Sequence, residues 1–188
     1  MKKRTVVWEP VEYRGIEYLN LKERQPIVSV ESVILGVEEA GVFRLDYRVR
    51  CNVGFSVRIV HLSMAGGTLL TLNSDGHGNW TDEVGNAMPQ FDGCIDIDIT
   101  ATPFTNTLPI RRVQWEVGQS REFKMLYITV PELTLSVSPQ RYTCLEKTAD
   151  GARFHFEVLD TGFTAELPVD ADGLVLDYPG LFKRLWSS

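Results

Sequence analysis

Apolar residues recur at every second position along most of this chain, and this pattern constrains the fold more than any other feature. In "VFRLDYRVRC" (42–51), Phe43, Leu45 and Tyr47 would share one side of an extended strand. Successive side chains of a strand point to opposite faces, so the alternation predicts strands with one buried face. The same pattern occurs in the segments 55–62, 121–137, 153–159, 163–169 and 174–178.

Turn signals separate these segments at intervals of about 8–12 residues, which is typical of antiparallel all-β proteins. The Asp-Gly pairs at Asp75-Gly76 and Asp172-Gly173 indicate tight turns, since glycine tolerates positive φ. We therefore predict one all-β domain spanning residues 1–188 with few short helices. The C-terminal stretch "YPGLFKRLW" (178–186) is predicted as one short helix.

Charge and cysteine usage narrow the classes of partner and compartment. The chain of 188 residues has a net charge of −6, which argues against nucleic-acid or anionic-membrane binding driven by bulk charge. Its three cysteines are far apart, so neither a disulfide framework nor a structural zinc site is predicted, and the cytoplasm is the simplest compartment. The N-terminal region lacks a long apolar run, so we predict no signal peptide, no transmembrane helix and no stable membrane insertion.

The stretch "GCIDIDITATPFTNTLPIRR" (93–112) combines strict alternation with a polar segment and two arginines. Asp96 and Asp98 would share one strand face, about 7 Å apart. Carboxylates at this spacing can act as an acid/base pair on a glycoside or contribute to a cation site. They can equally pair with Arg111 or Arg112 in a purely structural role. We predict at least one contact between this strand and the segment after it.

The segment "TPFTNTLPIRR" (102–112) is not expected to be a central strand, because its two prolines fix φ and remove hydrogen-bond donors. Its arginines offer forked donors that suit carboxylate, phosphate or vicinal hydroxyl groups. Its threonines and asparagine either satisfy their own backbone in turns or form a polar lip at the mouth of a cavity. Both interpretations stay open at this point.

Four stretches together carry a resemblance: "DGHGNW" (75–80), "GCIDIDITATPFTNTLPIRR" (93–112), "VPELTLSVSPQRYTCL" (130–145) and "DGLVLDYPGLFKR" (172–184). From about Val42 onward the chain resembles the bacterial family named "Putative glycolipid-binding". The resemblance implies a single curved antiparallel sheet, rolled into a spiral β-roll or open barrel around a helical or irregular segment. It assigns no catalytic residue, and it points to a ligand site at Asp96, Asp98, Thr102, Pro103, Phe104, Thr105, Asn106, Arg111 and Arg112.

The resulting hypothesis is a lipid- or glycolipid-binding protein that holds an amphiphile in the β-roll interior without a cofactor or metal. Its head group would meet the polar patch and its acyl chain the aromatic wall. One alternative is a hydrolase or transferase on a sugar or sugar-lipid that uses Asp96 and Asp98 as an acid/base pair. Another is a non-catalytic structural or interaction domain. The sequence makes no prediction of oligomeric state.

Overall fold

The fold is built almost entirely from strands, as the alternation predicts. The structure, a computed structural model, describes residues 1–39 and 41–188, and about 60% of it is strand and 7% helix. The strands are β1 (Lys2–Pro10), β2 (Arg14–Arg24), β3 (Ile27–Glu38), β4 (Gly41–Asn52), β5 (Val57–Met64), β6 (Leu69–Ser74), β7 (Trp80–Thr81), β8 (Asp96–Ile99), β9 (Ser120–Ile128), β10 (Leu135–Lys147), β11 (Gly151–Val158), β12 (Phe163–Asp170), β13 (Asp177–Tyr178) and β14 (Phe182–Ser187). The described residues also form 3₁₀ turns at Pro89–Phe91 and Pro103–Asn106 and one helix, α1 (Thr107–Arg112). None of the described helices is long and apolar enough to cross a membrane.

The strands divide between two sheets rather than forming the single sheet that was expected. The large sheet has the order β13-β14-β1-β2-β3-β4-β5-β6-β7, and the small sheet has the order β12-β11-β10-β9-β8. All pairings are antiparallel except that of β8 with β9. A parallel pair needs a long crossover, and here residues 100–119, including α1, supply it.

The predicted C-terminal helix is wrong, because this segment forms strand β14. It pairs with β1 from Val6↔Ser187 to Pro10↔Phe182, so the two ends of the chain meet in the large sheet. A short amphipathic stretch takes its structure from its partner, and this partner lies more than 170 residues away in the sequence. Local pattern alone cannot supply that information.

Two turns of the large sheet share the pattern Asp-x-x-Gly-Asn. In both, the aspartate accepts a hydrogen bond from the asparagine side chain, at 2.6 Å for Asp75–Asn79 and 2.8 Å for Asp82–Asn86. Each aspartate also accepts from two backbone N–H groups of its turn. These bonds lower the pKa of Asp75 to about 2. The Asp75-Gly76 turn joins β6 to β7 as predicted, and Gly76 adopts φ +79°.

Two apolar clusters form the core. The larger one fills the inner face of the large sheet and includes Trp8, Tyr47, Phe55 and Trp80. The smaller one covers one face of the small sheet and is dominated by aromatic rings: Trp115, Tyr142, Phe154, Phe156, Tyr178 and Phe182. Aromatic side chains bury large areas, so these rings hold the sheets at a fixed separation and shape the space between them.

Candidate functional site

Strand β8 separates its isoleucines from its aspartates, as the alternation predicts. Ile97 and Ile99 are buried in the larger core cluster. On the other face, Asp96 pairs across the sheet with Met125 and Asp98 with Tyr127. β8 is the edge strand of the small sheet, yet Asp96 is buried and Asp98 is half-buried, so neither aspartate is fully exposed to solvent.

Asp96 is 1% exposed and forms a bidentate ion pair with Arg112. The Arg112 Nε donates to both carboxylate oxygens at 3.1 and 3.2 Å, and an Nη atom donates to Oδ2 at 2.6 Å. Burial raises the pKa of Asp96, while the Arg112 hydrogen bonds and charge oppose that shift. The guanidinium also lies 5.3 Å from the ring centroid of Phe123. The predicted contact between this strand and the following segment is confirmed. It engages the guanidinium of Arg112 in the ion pair with Asp96.

Asp98 belongs to a separate hydrogen-bond network. Gln140 Nε2 donates to Asp98 Oδ2 at 2.6 Å, and Thr105 Oγ1 donates to Oδ1 at 3.0 Å. Tyr142 OH donates to Gln140 Oε1 at 3.3 Å and accepts from Asn106 Nδ2 at 2.8 Å. Burial raises the pKa of Asp98 in spite of the bonds from Gln140 and Thr105. The network fixes the carboxylate in one orientation beside the aromatic face of the small sheet.

The segment after β8 is buried between the two sheets rather than exposed as a lip. Every residue from Ala101 to Ile110 is buried, which matches the enclosed helical segment that the resemblance implies. Thr102 caps the 3₁₀ turn by accepting a hydrogen bond from Phe104 N at 3.1 Å. Thr102 also bonds Tyr47 of the large sheet at 3.2 Å, whereas Asn106 bonds Tyr142 of the small sheet. The segment therefore joins the sheets through polar contacts on both sides.

Arg111 faces away from Asp96 and Asp98. It donates to the Asp172 backbone oxygen at 3.0 Å and to Glu23 at 3.2 Å, and its guanidinium lies 4.3 Å from the centroid of Phe55. Asp172 also pairs with Lys2 and Arg4. These contacts connect α1 to the β12–β13 turn and to the large sheet.

A cleft of about 570 Å³ opens where the small sheet meets the β13–β14 edge of the large sheet. One wall is largely apolar and is formed by Phe156, Val158, Phe163, Leu181 and Phe182, and the lining also includes Glu12, Asp160 and Thr161. The other is polar and is formed by Asp98, Thr102, Asn106, Tyr127, Ser136 and Ser138. Tyr178 also lines the cleft on the apolar side, with its ring centroid 6.1 Å from that of Phe156 and 6.3 Å from that of Phe182. The cleft is thus amphipathic.

The predicted site residues divide into two groups. Asp98, Thr102 and Asn106 line the cleft, and Thr105 lies one hydrogen bond behind Asp98. The cleft lining does not include Asp96, Pro103, Phe104, Arg111 or Arg112. Phe104 is 0% exposed in the larger core cluster.

Sequence reasoning missed a buried carboxyl group on the large sheet. Glu17 is 1% exposed and its Oε1 accepts hydrogen bonds from Tyr47 OH at 2.6 Å and Ser32 Oγ at 2.8 Å. Burial raises its pKa to about 7, and the hydrogen bonds oppose that shift. Its other oxygen has no hydrogen-bond partner among the described residues. The signal was present in "EYLNL" (17–21), where the glutamate is in phase with Leu19 and Leu21.

Comparison with known proteins agrees with the fold and with the resemblance. The family model described as "Putative glycolipid-binding" matches residues 5–184. A DUF1089 family protein from Pseudomonas aeruginosa, known from a crystal structure, is 40% identical to the chain, with a TM-score of 0.78. The match covers 90% of this chain and 92% of that one. No curated protein sequence matches the chain.

Proposed function

The chain belongs to the family described as "Putative glycolipid-binding", and from that premise we propose that it binds a single-chain amphiphile with a sugar-type head group in the cleft. One observation carries this proposal: a single cleft brings an aromatic wall and a fixed, hydrogen-bonded carboxylate together. Ligand sites combine mostly apolar linings with a few oriented polar groups in this way, and the cleft volume is within their usual range.

The apolar wall suits an acyl chain. Phe156 and Phe182 are 2% and 6% exposed. The smaller core cluster already holds their rings in place where they line the cleft. Phe163 is 39% exposed at the outer end of this wall. Burial of chain methylenes against these rings contributes about 0.8 kcal/mol for each CH₂ group removed from water.

The polar wall suits hydroxyl groups. Asp98 can accept hydrogen bonds from vicinal hydroxyls, and its orientation is fixed by Gln140 and Thr105. Tyr127 lies directly beside it across the sheet, and Asn106 adds an amide to the same wall. A preorganised acceptor loses little freedom when it binds, which favours affinity and orientation.

We propose a different ligand position from the one expected from the sequence. The inner face of the large sheet is filled by the larger core cluster, so we place the amphiphile between the sheets. The acid/base alternative gains no support, because Asp96 is held by Arg112 and does not line the cleft. The cytoplasm stays the proposed compartment, supported by three buried, unpaired cysteines.

Filling the cleft is expected to remove lipid that co-purifies with the protein. Ser136 is exposed and lines the cleft on the face of the small sheet that carries Asp98 and Tyr127, so Ser136→Trp adds bulk there without entering the core. We expect native mass spectrometry of wild-type protein from a bacterial host to show bound lipid. The variant should retain at least about tenfold less, equivalent to about 1.4 kcal/mol of binding free energy.

Val84→Trp is the matched control, because Val84 is 75% exposed in a turn that does not line the cleft. It should retain lipid like the wild type. Protein that carries no lipid after gentle purification and takes up no added dodecyl maltoside would contradict the proposed function. Equal lipid retention in both variants would place the ligand outside the cleft.

A further inference from the structure

The outer face of the large sheet carries an exposed apolar band. Trp186 and Tyr18 lie in one cross-strand row, on either side of Val7. Ile16 and Leu35 pair directly in the next row. The four exposed members, Trp186, Tyr18, Ile16 and Leu35, are between 42% and 52% exposed. Isolated exposed apolar residues are ordinary, but a contiguous group of them on one face indicates an interaction surface.

Basic residues flank this band. One cross-strand row contains Lys3, Lys22, Ser29 and Arg50, with Arg24 and Arg48 in the neighbouring positions. Further basic residues on this face are Arg14, Arg44 and Lys183, whereas its carboxylates are Glu9, Glu31, Asp46 and Asp177. The face is therefore positive, although the whole chain has a net charge of −6.

Most of this positive charge is uncompensated. Glu31 pairs with Lys22 and Asp46 pairs with Arg44. Within residues 1–39 and 41–188, no carboxylate forms an ion pair with Arg24, Arg48 or Arg50. These side chains are exposed, and their positive potential is available to an anionic partner.

We propose that this face docks on the surface of an anionic lipid bilayer. Apolar and aromatic side chains enter the head-group region while surrounding Lys and Arg side chains attract anionic lipids. Trp and Tyr suit this interface because each has an apolar body and a polar tip. A second copy of this chain fits poorly, because face-to-face contact would bring like charges together.

Docking goes beyond the proposed function and does not depend on it, since it uses a different surface. The two surfaces meet at one strand: β14 contributes Phe182 to the cleft and Trp186 to the outer face. A protein docked in this way would hold the edge of its cleft near the bilayer, where amphiphiles reside.

Vesicle binding tests the proposal directly. Of the four tryptophans, Trp8, Trp80 and Trp115 are at most 6% exposed and Trp186 is 52% exposed. A blue shift of emission on binding therefore reports on Trp186. We expect it with vesicles of phosphatidylcholine containing about one third phosphatidylglycerol, and not with phosphatidylcholine alone; salt should weaken it. Arg48→Glu with Arg50→Glu should reduce partitioning by at least about tenfold.

Arg121→Glu with Lys124→Glu is the matched control, since both residues are exposed on β9 of the small sheet and the change in charge is identical. This variant should bind vesicles like the wild type. Ser136→Trp, which fills the cleft, should do so too, and its binding is measured by vesicle co-sedimentation because it adds a fifth tryptophan. Absence of a shift, equal binding to neutral vesicles, or equal loss in both double variants would overturn the docking proposal. A stable dimer that shields Trp186 would also overturn it. None of these outcomes bears on lipid retention in the cleft, so failure of docking and failure of the proposed function are distinguishable.

Discussion

Replacing Asp96 by alanine is expected to lower the free energy of unfolding by about 3–5 kcal/mol. The carboxylate is 1% exposed and receives three hydrogen-bond contacts from Arg112. Without it, the guanidinium is left as an uncompensated charge that is only 17% exposed. The midpoint of chemical denaturation, with the slope of the transition, measures the change.

Two further variants test whether the loss of stability comes from the burial of this ion pair. Glu31→Ala breaks an exposed ion pair with Lys22 and should cost under about 1 kcal/mol. Asp96→Leu combined with Arg112→Met removes both charges and should recover much of the lost stability. A wild-type midpoint for Asp96→Ala would mean that the ion pair does not hold β8 against α1.

The carboxyl group of Glu17 is expected to make the protein less stable as pH rises. Burial raises its pKa from 4.5 to about 7, so between these values the unfolded chain releases a proton that the folded protein keeps. The folded state is therefore favoured below about pH 4.5, and the advantage is lost as pH rises through about 7. The total change is on the order of 3 kcal/mol.

Glu17→Gln should remove this dependence, because the amide oxygen can still accept from Tyr47 and Ser32 but cannot ionise. The stability difference between variant and wild type should move by about 3 kcal/mol in favour of the variant between about pH 4 and about pH 8. Denaturation midpoints across this range measure it, and Glu83→Gln, at an exposed position, is the control. A difference that stays constant with pH would show that Glu17 titrates normally in the folded protein.

Local pattern predicted strands from Val42 onward, where apolar and polar faces alternate, but it identified none of β1, β2 and β3 in the first 38 residues. It could not predict how the strands divide between two sheets. The parallel pairing of β8 with β9 depends on the crossover through α1, and β14 pairs with β1 from the opposite end of the chain. Both pairings join strands that are distant in the sequence. Strands with the same alternation of apolar and polar residues could pair in other ways, so the pattern does not determine the partner.

The candidate site was predicted only in part, because it too depends on contacts between distant parts of the chain. Asp96 and Asp98 were correctly placed on one face, and Asp98, Thr102 and Asn106 do line the cleft. The two aspartates differ in their partners, since Arg112 reaches back to one and Gln140 of β10 reaches the other. The aromatic wall could not be recognised, because strands β11, β12 and β14 supply it only once they are folded.

Net charge was also an incomplete guide. A total of −6 argues against an anionic partner only if charge is spread evenly. The strand register places Lys3, Lys22 and Arg50 in one row of the outer face. The net charge of the chain does not reveal this local concentration of positive charge.

Photocrosslinking in solution tests the central claim most directly. A single-chain glycolipid with a diazirine in its acyl chain, used below its micelle concentration, should label Phe156, Phe163 and Phe182 on the apolar wall of the cleft. Ser136→Trp should suppress this labelling, and Val84→Trp should not. Labels confined to the outer face of the large sheet, at Trp186 and Ile16, or labels unchanged by Ser136→Trp, would contradict binding in the cleft.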